Sequence, residues 1–506
     1  MRIERFEEGI VFWQSISRLT VLLLVPFYSF WPRYETKRAG CPIGLELIAS
    51  ELIAKGFNVI FIDACMAAYN QLTEQLDGTV RYGLTDKQLA KVLERFNPAI
   101  VGITSLFSNQ AESVEAVAGI VHQAYPDAII VEGGGHATGD LEGVLASPNV
   151  DMLVNREGLI TFPELCASIE ARHTTKYKTS VEGVSYKTEA GQSVHNPDRP
   201  FIKNLDVLAP RRLEIPLHTM YNVPEHTGGS RHVKYGRLAY VLTSMGCPLH
   251  CDFCFIPTLT GTIRYFSLAR FEQDVVRLKE AGVTEIVVED DMLFDNMPRA
   301  LQIGEILHRH GMVWFEEGGL SMFKFMKPGY GLTYQDVLTS LATNGLYRFY
   351  LAIESANKDS LAKSHKPDIN SEAGVAEEIV RYAAKKGIEA VGGFMLGFKG
   401  RNGGGLEFEE TREDIERTVA YAKRLKEAGL AYVMLFLYTA IPGTRAYEYL
   451  SSVFPELDLR TSHERSAFPV GGLTPVELTE LRLRWMQEVN GDSSTGLATL
   501  TKNWGL

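Results

Sequence analysis

Leu238–Cys254, LAYVLTSMGCPLHCDFC, runs from an apolar strand straight into three cysteines. Cys247, Cys251 and Cys254 form a CxxxCxxC loop within eight residues. Three soft thiolates at this spacing can converge on one metal centre from a single turn. On a [4Fe–4S] cluster they leave one iron without a protein ligand, open to a chelating small molecule. A structural zinc ion with His250 as fourth ligand is the alternative. It fits less well, because His250 lies inside the first cysteine interval, where it strains a tetrahedron, and no second CxxC pair follows.

The strand before this loop is the first of six. LAYVLTSMG (238–246) is followed by TEIVVEDD (284–291), MVWFEEGG (312–319), RFYLAIES (348–355), EAVGGFMLG (389–397) and AYVMLFLYTA (431–440). Helical patterns fill the gaps. Six βα units over residues 237–455 predict a partial (β/α)6 barrel with its mouth at the C-terminal strand ends. Residues 456–506 form a small helical C-terminal segment. There Thr474 is the expected N-cap, Pro475 the first helical position, and Glu477 completes a capping box. Leu478, Leu481, Trp485 and Val489 are expected to line its apolar face.

A second alternation occupies residues 1–172. Its strands are TVLLLVP (20–26), NVIFID (58–63), AIVGITS (99–105), AIIVEGG (128–134) and VDMLVN (150–155). The helix Ile43–Lys55 puts Leu45, Ile48 and Leu52 on one face, and Gly56 stops it. Near-continuous apolar strands between helices predict a doubly wound, Rossmann-like α/β domain, which binds ligands at its C-terminal strand ends. Residues 173–236 lose this rhythm and read as a linker punctuated by Pro and Gly. From Asp198 to Arg237 seven Lys/Arg face four Asp/Glu, and His195, His218, His226 and His232 fall in or beside this stretch. Two readings stay open. One is a solvated connector; the other is a segment that meets an anionic substrate, with Arg211, Arg212 and Arg231 as the groups to hold it.

The whole composition sets limits. A chain of 506 residues, 45% hydrophobic and 22% charged, is a folded globular protein of two to four domains rather than a disordered or fibrous one. The longest early apolar run, Thr20–Trp31, is too short to span a bilayer and is broken by Pro26, so no membrane role is expected. The opening MRIERFEEGI lacks a basic cluster, which argues against a secretory leader. Net charge −11 argues against wrapping nucleic acid. Six cysteines, three of them clustered, suit a reducing cytoplasm.

The cysteine loop at a barrel strand, with aromatic Phe253 before its third cysteine, resembles the radical SAM enzymes. The resemblance implies that Cys247, Cys251 and Cys254 hold a [4Fe–4S] cluster and that S-adenosyl-L-methionine binds beside it. VVEDDML (287–293), with Glu289 and Asp290, resembles the acidic motif that meets the methionyl amine. AIES (352–355), with Glu354 and Ser355, resembles the motif near ribose and carboxylate. GGFMLGF (392–398), with Gly393 and Gly397, resembles the glycine motif beside adenine, and IPGTRAY (441–447) resembles the sixth-strand ending.

The N-terminal domain resembles the cobalamin-binding domain fused to one large radical SAM class. CPIGLELIASELIAKGFNVIFIDA (41–64) is similar to its first helix and second strand. The likeness implies that Thr104, Ser105 and Leu106 lie near the corrinoid, and that Gly133, Gly134, Gly135 and His136 form the turn beside its nucleotide loop. Two departures stand out. The loop PFYSFWPRYETKRAGCP (26–42) has no histidine where relatives supply one to cobalt, so no protein imidazole is expected there. Cys41 in that loop is read as a small buried residue. The usual Gly-Glu-Gly-Glu stretch is reduced to Asn155-Arg156-Glu157-Gly158.

RYGLTDKQLAKVLERFNPAIVGITSLFSNQ (81–110) and GFKGRNGGGLEFEE (397–410) resemble the phosphonate C-methyltransferase subgroup of fosfomycin biosynthesis. The implied activity is a cobalamin-dependent radical SAM C-methylation of an unactivated carbon. One S-adenosylmethionine methylates cob(I)alamin; a second gives a 5′-deoxyadenosyl radical that abstracts hydrogen, and methylcobalamin donates the methyl group. The implied substrate is a small anionic molecule, for this subgroup a cytidylylated hydroxyethylphosphonate, and flavodoxin or ferredoxin supplies the electron. A non-methylating enzyme of this architecture, performing ring contraction or cyclisation, and a non-catalytic cobalamin-binding protein are the rival readings.

Overall fold

Strands that are apolar on both faces must be covered on both faces, and the first unit is built that way. The computed structural model describes all residues except 1, 8, 15–17, 36, 38–39, 212–220, 222–235, 320–321, 327, 368–373, 403 and 492–506. The chain divides into two compact units. One comprises Met1–Trp31, Ala39–Tyr221 and Thr258–Thr260; the other comprises Pro32–Arg38, Asn222–Pro257 and Gly261–Leu506.

The first unit contains strands β1 (Arg2–Glu7), β2 (Ile10–Gln14), β3 (Thr20–Val25), β4 (Tyr28–Phe30), β5 (Asn58–Asp63), β6 (Leu72–Glu74), β7 (Val80–Tyr82), β8 (Ile100–Thr104), β9 (Ile129–Gly133), β10 (Met152–Val154), β11 (Val184–Lys187) and β12 (Ser193–His195). Nine of them form one sheet in the order β1-β2-β5-β3-β8-β9-β10-β11-β12. The five central strands, β5 to β10 in that order, are parallel. Their order reverses between β3 and β8, the switch point of a doubly wound sheet. Helices α1 (Ile43–Ala54), α2 (Asp86–Leu93), α3 (Ala111–Ala124), α4 (Gly135–Gly139), α5 (Leu141–Ala146) and α6 (Gly158–Glu170) fill the crossovers. Leu22, Ile60, Val101 and Ile130 from the strands pack with Leu89, Val114, Val117 and Val121 from α2 and α3.

Residues 173–195 are not part of a connector. β11 pairs antiparallel with β10, and β12 with β11, so the sheet runs past the expected boundary at residue 172. These strands are short, and VSYK and SVH mix polar with apolar residues, so no continuous apolar run marks them. The hairpin β1–β2 adds to the opposite edge, antiparallel to β5. The loop after β3 is also ordered into a strand. β4 pairs with β7, which pairs with β6, and Tyr28 stacks on Tyr82 at 5.7 Å between ring centroids.

The second unit contains β13 (Leu238–Val241), β14 (Ser244–Met245), β15 (Arg264–Tyr265), β16 (Glu285–Val288), β17 (Val313–Glu316), β18 (Leu346–Glu354), β19 (Glu389–Leu396), β20 (Lys399–Arg401), β21 (Glu407–Glu409) and β22 (Tyr432–Leu437). Six parallel strands lie in the order β13-β16-β17-β18-β19-β22, which is also their chain order, and the two end strands do not pair. This is the expected open partial barrel.

The C-terminal helix Pro475–Asn490 has the expected capping box of Thr474 and Glu477. Its buried face is shifted, however. Leu478, Arg482, Met486 and Val489 are buried, while Leu481 and Trp485 are half-buried. The shift follows from what the helix covers. Asn490 accepts from Val433 N–H at 2.9 Å and donates to Val433 C=O at 2.8 Å, while Arg482 Nε donates to Leu435 C=O at 2.8 Å. Side chains thus occupy the backbone groups of β22 that a seventh strand would take.

Candidate functional site

The cysteine loop is closed at its base by glycine geometry. Gly246 has φ +90°, and a Cβ there would lie 2.5 Å from the Thr262 carbonyl oxygen. Cys247 N–H donates to Gly261 C=O at 3.1 Å, and Cys254 N–H donates to Cys251 C=O at 3.0 Å. Asp252, between the last two cysteines, is clamped from two elements. Its N–H donates to Ser364 C=O at 3.0 Å, and its Oδ1 lies 3.0 Å from His365 Nδ1 and 3.2 Å from Arg445 Nη1. Phe253 packs edge-on against Phe398 at 5.8 Å and Tyr438 at 5.9 Å, which seals the loop from behind.

All six cysteines are free thiols. Burial pushes the Cys251 thiol up to about 12 and Cys254 up to about 11, and raises Cys247 as well. Bound iron would reverse this, since a coordinating thiol is deprotonated by the metal charge. Cys251 senses the charge of both other cysteines, so the three share one microenvironment. No three His, Cys, Asp or Glu among the described residues converge as a mononuclear site. That is no obstacle to a cluster, whose cysteines each bind a different iron. Two buried polar atoms by the loop, Asp252 Oδ2 and Tyr438 OH, have no hydrogen-bond partner. The donor set and its incomplete polar surroundings fit an iron–sulfur cluster.

Several strand-end residues expected to touch S-adenosylmethionine are engaged within the protein instead. Asp290 is fully buried. It accepts from Thr243 N–H at 2.6 Å, Thr243 OH at 2.5 Å and Ser244 OH at 2.6 Å. Its carboxylate braces the end of the first barrel strand and is not available to an amine. Asp291 does similar work on Gly246 N–H at 2.8 Å, and burial raises it to about 6. Glu289 stays half-buried at the strand end. Ser355 is buried and donates to Glu410 at 3.0 Å. Gly393 makes room for Tyr350, whose hydroxyl oxygen would lie 1.6 Å from a Cβ at that position. Gly397, at φ +83°, is needed for packing against Val470, 2.9 Å from its virtual Cβ. A side chain at either glycine would collide with a protein neighbour.

Glu354 has φ +67° and pairs with Lys366 at 2.9 Å. Lys366, Tyr350 and Glu316 escaped the sequence reading. Glu316 accepts from Gly319 N–H at 2.8 Å, and burial raises it well above the usual carboxylate range. Its only signal was the EEGG ending of a strand already recognised.

In the first unit the switch point carries the expected elements. Ser105 is buried, its N–H donates to Gly133 C=O at 2.8 Å, and its C=O accepts from His136 N–H at 2.9 Å. Gly134 has φ +124°, and a Cβ there would lie 2.6 Å from Ser105 C=O. The glycine turn therefore locks onto the Ser105 loop. His136 is buried, with Nδ1 3.1 Å from Ser108 Oγ. Thr104 is half-buried, whereas Leu106 is 47% exposed and Phe107 52% exposed. Leu106 and Phe107 thus form a small exposed apolar ledge at the switch point. Behind them Glu132 is buried, receives Ser105, and leaves Oε1 without a partner; burial pushes it up to about 7. This donor-poor, apolar shelf fits a corrinoid.

Arg211 requires a correction. Its guanidinium is buried against Glu46 of α1, with Nη2 2.6 Å from Oε2, so it ties a passing segment to the sheet domain and has no fork to offer a substrate. Arg212, Arg231, His218, His226 and His232 lie outside the described residues. His195 is an edge-strand residue, 2.7 Å from Glu142. Cys41 is half-buried, and Arg156 pairs with Asp198 at 2.9 Å.

Residues 35–166 match the B12 binding domain, and residues 241–415 match the radical SAM superfamily. Over 499 residues the chain is 26% identical to the cytidylyl-2-hydroxyethylphosphonate methyltransferase of Streptomyces wedmorensis, covering 93% of this chain and 90% of that protein. Over 439 residues it is 29% identical to an uncharacterized methyltransferase of Pyrococcus horikoshii, covering 85% and 83%. In fold it resembles the radical S-adenosylmethionine methyltransferase TsrM from Kitasatospora setae, solved with cobalamin and a [4Fe–4S] cluster. The TM-score is 0.64 at 15% identity, over 93% of this chain and 85% of that one.

Proposed function

We propose that this chain, a radical SAM superfamily protein with an N-terminal B12-binding domain, is a C-methyltransferase acting on an unactivated carbon of a small molecule. The observation that carries the reading is one chain holding both a three-cysteine loop at a barrel mouth and an exposed apolar ledge at a doubly wound switch point. Cys247, Cys251 and Cys254 would hold the cluster, with Glu289 at the methionyl ammonium. Leu106 and Phe107, bordered by Thr104 and the turn 133–136, would carry the corrinoid. When bound, the cluster supplies the electron that cleaves S-adenosylmethionine, and the corrinoid supplies the methyl group.

The remaining work falls to the protein. Asp252, gripped by Ser364, His365 and Arg445, fixes the turn that orients Cys251 and Cys254. Asp290 and Asp291 hold the strand end from which the loop departs. Phe253, Phe398 and Tyr438 exclude water behind the loop. In the first unit, β4 fills the place of a histidine-bearing loop with Tyr28 and Phe30. That loop carries no histidine, so no imidazole from it would meet a corrinoid held at the switch point.

For the substrate we extend the class named for the Streptomyces relative, an anionic phosphonate joined to a nucleotide. Seven basic against four acidic residues between Asp198 and Arg237 support this. With Arg211 committed to Glu46, Arg212 and Arg231 are left as the phosphonate-holding pair. The electron donor is a flavodoxin or ferredoxin, and a reducing cytoplasm keeps both cluster and corrinoid serviceable. No described helix is long and apolar enough to cross a membrane.

The test is anaerobic reconstitution with S-adenosylmethionine and hydroxocobalamin, followed by mass spectrometry against candidate phosphonates. Methylation releases S-adenosylhomocysteine alongside 5′-deoxyadenosine. A converted substrate with 5′-deoxyadenosine alone would replace this reading with ring contraction or cyclisation.

A further inference from the structure

Glu410 is a buried carboxylate, 1% exposed, to which the reading above gives no role. It stands just beyond the hairpin β20–β21. Donors from the ends of two neighbouring parallel strands converge on it. Ser355 OH, after β18, donates to Oε1 at 3.0 Å. Gly397 N–H and Phe398 N–H, after β19, donate to Oε2 at 3.0 Å and 3.1 Å. The Glu410 N–H returns a bond to Phe398 C=O at 2.8 Å, which closes the hairpin at its base.

Two routes of contact lead from this carboxylate to the cysteine turn. The first runs through Ser355, whose Oγ accepts from Asn357 N–H at 3.0 Å. Asn357 Oδ1 caps the helix Lys358–Lys363, accepting from Asp359 N–H at 3.0 Å and Ser360 N–H at 3.3 Å. Past the far end of that helix, Ser364 C=O accepts from Asp252 N–H at 3.0 Å, and His365 Nδ1 lies 3.0 Å from Asp252 Oδ1. The second runs through Phe398, whose ring meets Phe253 at 5.8 Å and Tyr438 at 4.9 Å. The routes end on adjacent residues, Asp252 and Phe253, between Cys251 and Cys254. Removing the shared acceptor would strand three buried donors at once, so the two strand ends could not keep this arrangement.

We propose that Glu410 is a positioning residue for the cysteine turn, fixing through Asp252 and Phe253 the geometry in which Cys251 and Cys254 meet the cluster. The inference rests on the reading that Cys247, Cys251 and Cys254 hold a cluster. What the position requires is acceptor oxygen rather than charge. Glutamine can receive both backbone N–H groups on its amide oxygen and turn its N–H towards Ser355 Oγ. The Ser355 proton then passes to Thr418 Oγ1, 3.1 Å away. Thr418 OH itself donates to Asp414 C=O at 3.3 Å, which leaves its oxygen as the acceptor. Alanine offers no such substitute.

The test is the rate of iron release into a ferrous chelator from the anaerobically reconstituted full chain, with iron and sulfide content measured first. E410A should release iron roughly tenfold faster than the parent, and E410Q should stay within about twofold of it. V380A opens a cavity at a fully buried site of the same unit and serves as the control for general loosening. E410A at the parent rate overturns the inference and leaves the cluster reading intact. So does E410Q as labile as E410A, or V380A as labile as E410A at a matched denaturation midpoint. If E410A does not fold, S355A decides, since it cuts the first route and keeps both backbone bonds to Glu410. Release roughly threefold faster or more then supports the inference, and the parent rate overturns it. A parent chain that assembles no cluster overturns both readings.

Discussion

Glu132 is a carboxyl group placed where ionisation is penalised. Folded, it titrates near about 7; unfolded, it returns to the ordinary value of 4.5. Between those values the folded state holds a proton that the unfolded state has lost, so stability falls as pH rises through this window. The penalty is complete above about 7 and absent below about 4.5. Glu132→Gln keeps an acceptor for Ser105 and removes the charge. It is expected to gain roughly 1–3 kcal/mol at pH 8 and nothing at pH 4, read from denaturant midpoints at the two pH values. At the same scale, Cys247, Cys251 and Cys254 are each expected to be required for the proposed cluster. Cys254→Ala should abolish full iron incorporation, whereas Ser at Cys41, Cys65 or Cys166 should leave it unchanged; iron and sulfide analysis checks both.

At the scale of elements, the glycine turn after β9 and the loop after β8 are one interlocked piece. Gly134→Ala would drive a Cβ to 2.6 Å from the Ser105 carbonyl oxygen at φ +124°. At least about 2 kcal/mol of stability should be lost, measured by chemical denaturation, with cobalamin retention falling too. Phe107→Asp alters only an exposed side chain of the ledge. It should weaken cobalamin binding tenfold or more in equilibrium dialysis while leaving the unfolding midpoint in place; normal binding would remove the ledge from the corrinoid site.

The parallel strands were readable because burial on both faces writes an unbroken apolar run, as in TVLLLV and NVIFID. The strands β11 and β12 were not, because Val184–Lys187 and Ser193–His195 are short and mix polar with apolar residues. The cysteines could be found because all their chemistry lies within one loop. The roles of Asp290, Ser355 and Gly393 could not, since a motif shows which residue stands at a strand end and not which neighbour claims it. Thr243, Glu410 and Tyr350 make those claims, and each lies 43 to 55 positions away. The hold of Ser364 and His365 on Asp252 was illegible for the same reason, since the two segments lie more than a hundred positions apart.

For the whole molecule, substrate methylation and cofactor turnover should be separable. Replacing Arg212 and Arg231 together by Ala should depress methylation of an anionic substrate at least tenfold. Cobalamin methylation and unproductive S-adenosylmethionine cleavage should continue, as quantified from S-adenosylhomocysteine and 5′-deoxyadenosine. Parent-like methylation by the double variant would turn the search towards uncharged acceptors.

The barrel's last strand is also a matter of timing. Its free edge is covered by Arg482, Met486 and Asn490, residues made well after β22 itself. At about 5–20 residues per second, a ribosome needs several seconds to deliver that cover. Through that interval YVMLFL, an apolar run with an unpaired edge, leaves the ribosome with nothing to close it. Nascent chains stalled between these two segments should therefore be the ones that recruit chaperones or aggregate, and release of the final helix should end that vulnerability.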